Sequence, residues 1–293
     1  MDTQFSNSLE SLQQAPRIDV DWASLSTADR IRWIELEGFV IIPDLLSSDL
    51  IHEIGQELDA LPLTPRDYSQ YTLGNADGPW PECPTASSLI ALPAITDFLG
   101  VLFGDELICT SCNYGQNLPG HPGIVVHTDS QPYGSGIFGV QASSPVLARV
   151  LFYLDELTPE CAPFKVIPRS HLSMHRDGNP YNRYLAHDAE QMVTCAAGSA
   201  AVINQKVFHG NFPNHSDRQR RLLAFAYRPT WAGPIGDVPE RDPDRIAQLP
   251  PDVQPLMGSL NTRHVDFDVP NRPDGMATTA DGIHPSRWER SDD

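Results

Sequence analysis

The run Ile124-Val125-Val126-His127-Thr128-Asp129 carries the residues best suited to holding a metal. Side chains alternate along a strand, so His127 and Asp129 project from one face, about 6–7 Å apart along the backbone. An imidazole and a carboxylate on one strand, joined by a second imidazole, make the 2-His-1-carboxylate triad, which leaves three positions of an octahedral iron(II) open. His209 is the candidate third ligand: it ends the run Ala200 to Phe208 and is followed by Gly210, where the backbone can turn. The 82 positions between them (209 − 127) let several strands close and bring both histidines to one mouth. Arg220, eleven residues after His209 (220 − 209), falls on the next strand-like run. A guanidinium there can grip the distal carboxylate of a dicarboxylic co-substrate with two parallel hydrogen bonds. Arg218 and Arg221 compete with it; both faces of 221–227 are apolar, so parity does not decide, and the offset from His209 favours Arg220.

A single H-x-D is a weak signal, as a second copy, His264-Val265-Asp266, demonstrates. After that copy only His284 remains, with no arginine at a comparable offset, so it reads as a surface histidine in a tail. The ordinary alternative for His127 and Asp129 is a hydrogen-bonded pair at a strand end. His171 and His175 have the i, i+4 spacing of a helical metal pair but lack a third ligand and a general base, which argues against a zinc hydrolase. Cys109-Thr110-Ser111-Cys112 is one CxxC without a second pair, set in a strand rather than at a helix N-terminus, and reads as structural.

The elements that must position these groups are mostly short strands. Thr27–Glu37 has a helical pattern, Gly38–Ile42 reads as a strand, and an apolar stripe from Leu50 to Leu61 reads as a second helix capped by Ser47 or Ser48. Residues 62–93 read as a long ordered loop, and Ala94–Phe103 as a short helix ended by Gly104. Strand-like runs follow at 106–114, 123–129, 136–142, 146–154, 163–167, 200–209 and 220–228. Seven short strands without long intervening helices predict a mainly β sandwich or barrel, most simply a jelly roll. Residues 1–27 read as a polar arm. The last 65 residues, 229–293, contain ten prolines and read as an extension that wraps the domain, with a short helix near 240–249.

Composition excludes several partners. With 20 Lys+Arg against 38 Asp+Glu the formal charge is −18. Nucleic acids and anionic membranes are disfavoured by sign. Five scattered cysteines argue against a disulfide framework. The first 30 residues lack an apolar signal core, and no run approaches the ~20 apolar residues of a membrane helix, so a cytoplasmic location is expected. Oligomeric state is left open.

Taken together, His127-Thr128-Asp129, the run from Gly198 to His209-Gly210, Asn214 and Arg220 resemble the phytanoyl-CoA dioxygenase family of iron(II)/2-oxoglutarate oxygenases. The Gly38–Ile42 strand between two helices is similar to that family's N-terminal entry. Glu160 to His171 resembles its G-x-L-x-x-x-P-G-S-H segment, with Ala162 near a usual glycine and Arg169 where glycine is usual. The resemblance covers residues 28–228. It implies a double-stranded β-helix of cupin type with N-terminal helices, binding Fe(II) through His127, Asp129 and His209 and 2-oxoglutarate through Arg220. It also implies an O2-dependent reaction that releases succinate and CO2 and hydroxylates or otherwise oxidises a C–H bond of a small molecule. Asp129 stands where halogenating relatives carry a small residue, which favours oxygenation. Thr110, Asn113, Gln116 and Asn214 are candidates for the co-substrate site, although Asn214 serves equally well to pin the turn between His209 and Arg220. Tyr68, Tyr71, Trp80, Tyr133, Phe138 and Trp231 are candidate pocket walls, and Arg149 and Arg183 candidates for an acidic substrate group. Two rivals remain: a jelly-roll binding protein with a vestigial site, and a cupin-like oxygenase that uses iron without 2-oxoglutarate.

Overall fold

The computed structural model describes residues 9–66, 69–104, 106–129, 145–172, 187–230, 232 and 240–258. Two antiparallel sheets face each other. The larger contains β1 (Phe39–Ile42), β2 (Thr64–Arg66), β3 (Ser69–Asp77), β4 (Leu107–Asn117), β6 (Ala148–Tyr153), β9 (Ala200–Asn204) and β11 (Arg220–Pro229), ordered β1-β9-β6-β11-β4-β3-β2. The smaller contains β5 (Ile124–His127), β7 (Phe164–Ile167), β8 (Gln191–Val193) and β10 (Phe208–Asn211), ordered β5-β10-β7-β8. This is the jelly-roll architecture expected from the strand-rich pattern.

Helices cover the outer face of the larger sheet. α2 (Thr27–Glu37) starts where the Ser26 hydroxyl accepts from the Asp29 N–H and stops at Gly38, whose φ of 88° suits a residue without Cβ. α3 (Ser48–Leu58) is capped by Ser47 and buries Ile54 and Leu58. These join Phe39, Phe152 and Phe225 in one core, where deleting a large side chain costs about 3–5 kcal/mol.

Four expectations are revised. Residues 62–93 are not simply a loop: β2 and β3 form a hairpin that extends the larger sheet beyond β4, and α4 (Pro84–Ser88) follows. The strand signal is hidden because the inward positions of β3 include Asn75 and Asp77. The run 200–209 is two strands, separated at a turn where the Asn204 side chain accepts from the Lys206 N–H at 3.0 Å. The arm folds from residue 9: α1 (Leu9–Gln13) precedes a bridge between Arg17 and Met192, and Trp22 packs edge-on against Trp33 at 5.2 Å. Finally, Pro84–Phe103 is long and apolar enough to cross a bilayer, contrary to the sequence reading. It is broken into α4, a single 3-10 turn and α5 (Pro93–Phe103), with Leu92 extended (ψ 117°) ahead of Pro93. Its Ile90, Ile95 and Leu99 are fully buried in the core.

The run 136–142 lies outside the described residues. In the C-terminal part, α6 (Pro243–Ile246) and a 3-10 turn at Gln254–Met257 bury Leu249, Val253 and Met257 in the core, and Arg241 donates to the Cys109 carbonyl at 2.8 Å.

Candidate metal centre and co-substrate pocket

β5 and β10 pair so that His127 and His209 stand directly opposite, with ring centroids 4.5 Å apart. Asp129 follows β5 and is anchored by its N–H, which donates to the Gln205 carbonyl at 2.8 Å. The three side chains offer ligand atoms that all lie within 4.8 Å of one another. Asp129 Oδ1 is 3.9 Å from His127 Nε2, and Asp129 Oδ2 is 3.6 Å from His209 Nε2. Each imidazole is oriented by its own strand: Nδ1 lies 2.9 Å from the Val125 carbonyl in His127 and 3.0 Å from the Val207 carbonyl in His209. A carbonyl only accepts, so Nδ1 carries the proton in both and Nε2 presents a lone pair toward the carboxylate.

Charge suits a cation. Burial pushes the His209 pKa down to about 4, so the ring is neutral at pH 7 and able to ligate. Burial alone would raise Asp129, but His209, Arg149 and His127 outweigh it and hold the carboxyl below its ordinary range. Since His209 is uncharged at neutral pH, Arg149 is the cation that persists beside Asp129. Its Nε lies 2.7 Å from Oδ2, yet neither atom completes a hydrogen bond. A buried carboxylate oxygen without a hydrogen bond, beside two imidazoles whose Nε2 atoms face it, fits a divalent metal by donor set and geometry.

Gly210 is needed for a reason other than turning. It lies inside β10, where an added Cβ would stand 2.3 Å from the Ile124 carbonyl oxygen and 2.9 Å from that of Val125. Only glycine lets β5 approach closely enough to hold the two histidines together.

Between the sheets lies a cavity of about 370 Å³, within the range of small-molecule sites. Its floor is a grid set by strand register. One row runs Tyr153, Leu222, Gly115, Asn75; the next runs Leu151, Ala224, Asn113, Asp77. Small residues at its centre leave the room. Arg220 is buried, lines the cavity, and lies 5.8 Å over the Tyr153 ring. Arg221 faces the other way and clasps Asp155 with Nε at 3.0 Å and Nη2 at 2.9 Å, which settles the parity question.

Beside Arg220 stand two groups that sequence reasoning missed. Asn117, directly opposite Arg220 in the ladder, is fully buried with neither side-chain polar atom hydrogen-bonded. His121 accepts from the Gly123 N–H through Nδ1 at 2.9 Å, so its Nε2 carries the proton, and that atom is buried without a partner. Burial and the Arg220 charge push its pKa down to about 4. A guanidinium flanked by unmatched buried polar groups fits an oxygen-rich carboxylate ligand.

The remaining candidates divide. Asn113 and Arg149 line the cavity. Thr110 donates to the Ala226 carbonyl at 3.2 Å, Gln116 pairs with Gln219, and Asn214 bonds the Arg218 carbonyl at 2.8 Å and accepts from Ser216; these three stand outside the cavity wall. Trp80 is buried against Gly78, away from the cavity. Tyr71 lies in β3, while Tyr68, Tyr133, Phe138, Arg183, Trp231, His175, His264 and Asp266 lie outside the described residues. Cys109 and Cys112 share a face because a register shift in the β4–β11 ladder leaves Thr110 unpaired; their Sγ atoms lie 3.7 Å apart.

The model of the phytanoyl-CoA dioxygenase (PhyH) family matches residues 34–222, well over half of the chain. The chain belongs to this family. PhyH enzymes depend on Fe(II), 2-oxoglutarate and O2. Solved structures share the fold at low sequence identity. The 2-oxoglutarate-dependent carbocyclase SnoK of nogalamycin biosynthesis is 18% identical, with a TM-score of 0.57 over 74% of this chain and 89% of its own. The epimerase SnoN of the same biosynthesis is 16% identical, with 0.59 over 74% and 90%. HygX from Streptomyces hygroscopicus, solved with nickel and 2-oxoglutarate, is 16% identical, with 0.54 over 71% and 89%. No curated protein matches the chain. Ala162, near a glycine usual in the resembled segment, and Arg169, where glycine is usual, adopt φ of 45° and 67°. Arg169 is braced by a bidentate ion pair to Glu37 at 2.7–3.0 Å.

Proposed function

We propose that the protein is an Fe(II)/2-oxoglutarate-dependent oxygenase that hydroxylates a C–H bond of a small metabolite or natural product in the cytoplasm. The observation that carries the reading is the juxtaposition of His127, Asp129 and His209, Nε2 atoms inward, at one cavity with Arg220. Bound there, iron supplies the family's oxidative chemistry, in which O2 and 2-oxoglutarate are consumed, succinate and CO2 are released and a substrate C–H is oxidised.

The chain's own residues set the stage. Backbone carbonyls fix both imidazole tautomers, and His127, Asp129 and His209 would together hold the ion. Arg220, which lines the cavity, receives the distal carboxylate of 2-oxoglutarate, with Asn117 and His121 buried beside it. Leu151, Leu222 and Phe164 keep bulk water from the reacting carbon. Asp129, in place of a small residue, leaves no vacancy for halide. The relatives' chemistry supports a small substrate: HygX was solved with hygromycin B, and SnoN with nogalamycin RO. A surface of charge −18 disfavours a coenzyme A thioester.

The test is succinate formation with Fe(II), 2-oxoglutarate and ascorbate. Turnover, even uncoupled, should exceed that of Asp129→Ala at least tenfold. Equal succinate from both, with no iron retained by the wild type, would favour a vestigial site. Unchanged 2-oxoglutarate affinity in Arg220→Ala would favour iron chemistry without that co-substrate.

A further inference from the structure

The polar corner of the cavity, on β3 and β4, has a direction built into it. Asn113 Nδ2 donates to Asp77 Oδ1 at 2.8 Å, and Asn75 Nδ2 donates to Asn113 Oδ1 at 2.9 Å. An ionised carboxylate only accepts, so Asp77 forces Asn113 to present its amide nitrogen. That leaves the Asn113 oxygen for the Asn75 amide, and Asn75 Oδ1 as the acceptor that the relay does not use. Asn75 Oδ1 is buried, belongs to a cavity-lining residue and has no hydrogen-bond partner among the described residues. A buried acceptor without a donor is destabilising, and a bound ligand that donates to it removes that penalty.

The β3 groups of this corner lie apart from Arg220, the group that holds the co-substrate in the reading above. Asn75 and Asp77 are on β3, whereas Arg220 is on β11 and Arg149 on β6, with β4 and β11 between β3 and β6. At about 4.8 Å per strand, β3 and β6 are roughly 14 Å apart, the span of a small multi-ring or sugar-like molecule. Between them the floor is Gly115, Leu222 and Ala224, which offer no polar group from their side chains.

We propose that Asn75, held by the Asn113–Asp77 relay, is the specificity determinant for the prime substrate and selects a molecule that presents a hydrogen-bond donor, O–H or N–H, to Asn75 Oδ1. This rests on the oxygenase reading above and adds the substrate's chemical class. A substrate whose matching position carries only an ether or a tertiary amide would leave Asn75 Oδ1 unpaired and face an acceptor-to-acceptor contact.

The test uses full-length protein loaded with Co(II) and 2-oxoglutarate without O2. Its probes are ring scaffolds, each prepared as a free alcohol, as a primary amine, and as the matching O-methyl or N-acetyl-N-methyl blocked form, with binding read by ligand-observed NMR. Free forms should bind at least tenfold tighter than their blocked partners, and the alcohol and amine arms identify which donor is used. Asn75→Leu should abolish the preference, and the isosteric Asp77→Asn should weaken it several-fold by releasing the relay's direction. Melting temperature and 2-oxoglutarate affinity should hold in both variants. Equal binding of free and blocked forms, no preference for any scaffold, or a preference that survives Asn75→Leu would overturn the inference. Failure of the wild type to bind 2-oxoglutarate would instead sink the oxygenase reading, so the two failures are distinct.

Discussion

Replacing Gly210 by alanine tests whether the metal site depends on strand spacing. The new Cβ would sit 2.3 Å from the Ile124 oxygen, 2.9 Å from the Val125 oxygen and 3.1 Å from the Val125 carbonyl carbon, all backbone atoms. An ordinary carbon–oxygen contact is about 3.3 Å or more, so β5 and β10 must separate by roughly 1 Å. Neither strand yields cheaply, because β10 is also laddered to β7 through Phe208–Asn211. Overpacking of this kind costs about 1–3 kcal/mol, a fall in Tm of several degrees for a domain of this size. The larger effect is at the metal. His127 and His209 are cross-strand partners, so the same displacement pulls their Nε2 atoms apart, while coordination tolerates about 0.2 Å. Anaerobic Co(II) titration, followed by visible absorption, should show affinity reduced by about 10- to 100-fold, with calorimetry giving the Tm. Wild-type Co(II) affinity together with an unchanged Tm would refute the close-approach argument.

Two opposite substitutions should both stabilise the protein, because backbone conformation decides their sign. Gly100→Ala, in α5 with nothing within 4 Å of the added Cβ, should raise stability by about 0.5–1 kcal/mol, whereas Ala162→Gly should gain a similar amount by relieving a φ of 45°; urea denaturation reads both. His121 predicts a pH dependence. Its folded pKa of about 4 lies below the unfolded value of about 6.5, so the unfolded chain binds the proton first. Stability in the metal-free protein should therefore be full above pH 6.5 and fall by roughly 3 kcal/mol toward pH 4 from this group alone. His121→Gln should flatten that slope, and an unaltered slope would show that His121 is not held neutral.

The parts of the site that were legible beforehand are those governed by local rules. Alternation placed His127 and Asp129 on one side, and the offset from His209 singled out Arg220 rather than Arg221, which the structure turns toward Asp155. What could not be read depended on register between distant strands. Asn117 acquires meaning only by standing opposite Arg220, and Asn75 only by standing opposite Gly115 beside Asn113. The β3 strand escaped notice for a chemical reason: a strand facing a polar pocket loses the apolar alternation by which strands are recognised. The Cys109–Cys112 pairing was hidden likewise, since regular alternation puts residues three apart on opposite faces and only the unpaired Thr110 reverses this. Gly210 was legible as important, but the steric reason lay in a strand more than 80 positions away.

The overall charge and the cavity oppose each other, and that opposition is itself testable. The chain carries −18, yet Arg149 and Arg220 line the cavity proposed for the 2-oxoglutarate dicarboxylate. The two fields act over different distances. At 0.1 M salt the surface charges are screened beyond about 10 Å, whereas buried contacts such as that to Arg220 are screened far less. An approaching 2-oxoglutarate dianion therefore meets long-range repulsion before it meets local attraction. Raising ionic strength from about 0.01 to 0.2 M should speed its association several-fold while leaving dissociation nearly unchanged, so affinity improves with salt. Stopped-flow binding to the anaerobic Fe(II) protein measures both rates. An association rate that falls with salt would mean that the pocket arginines dominate the field well outside the cavity, and that net charge says little about which ligands reach this site.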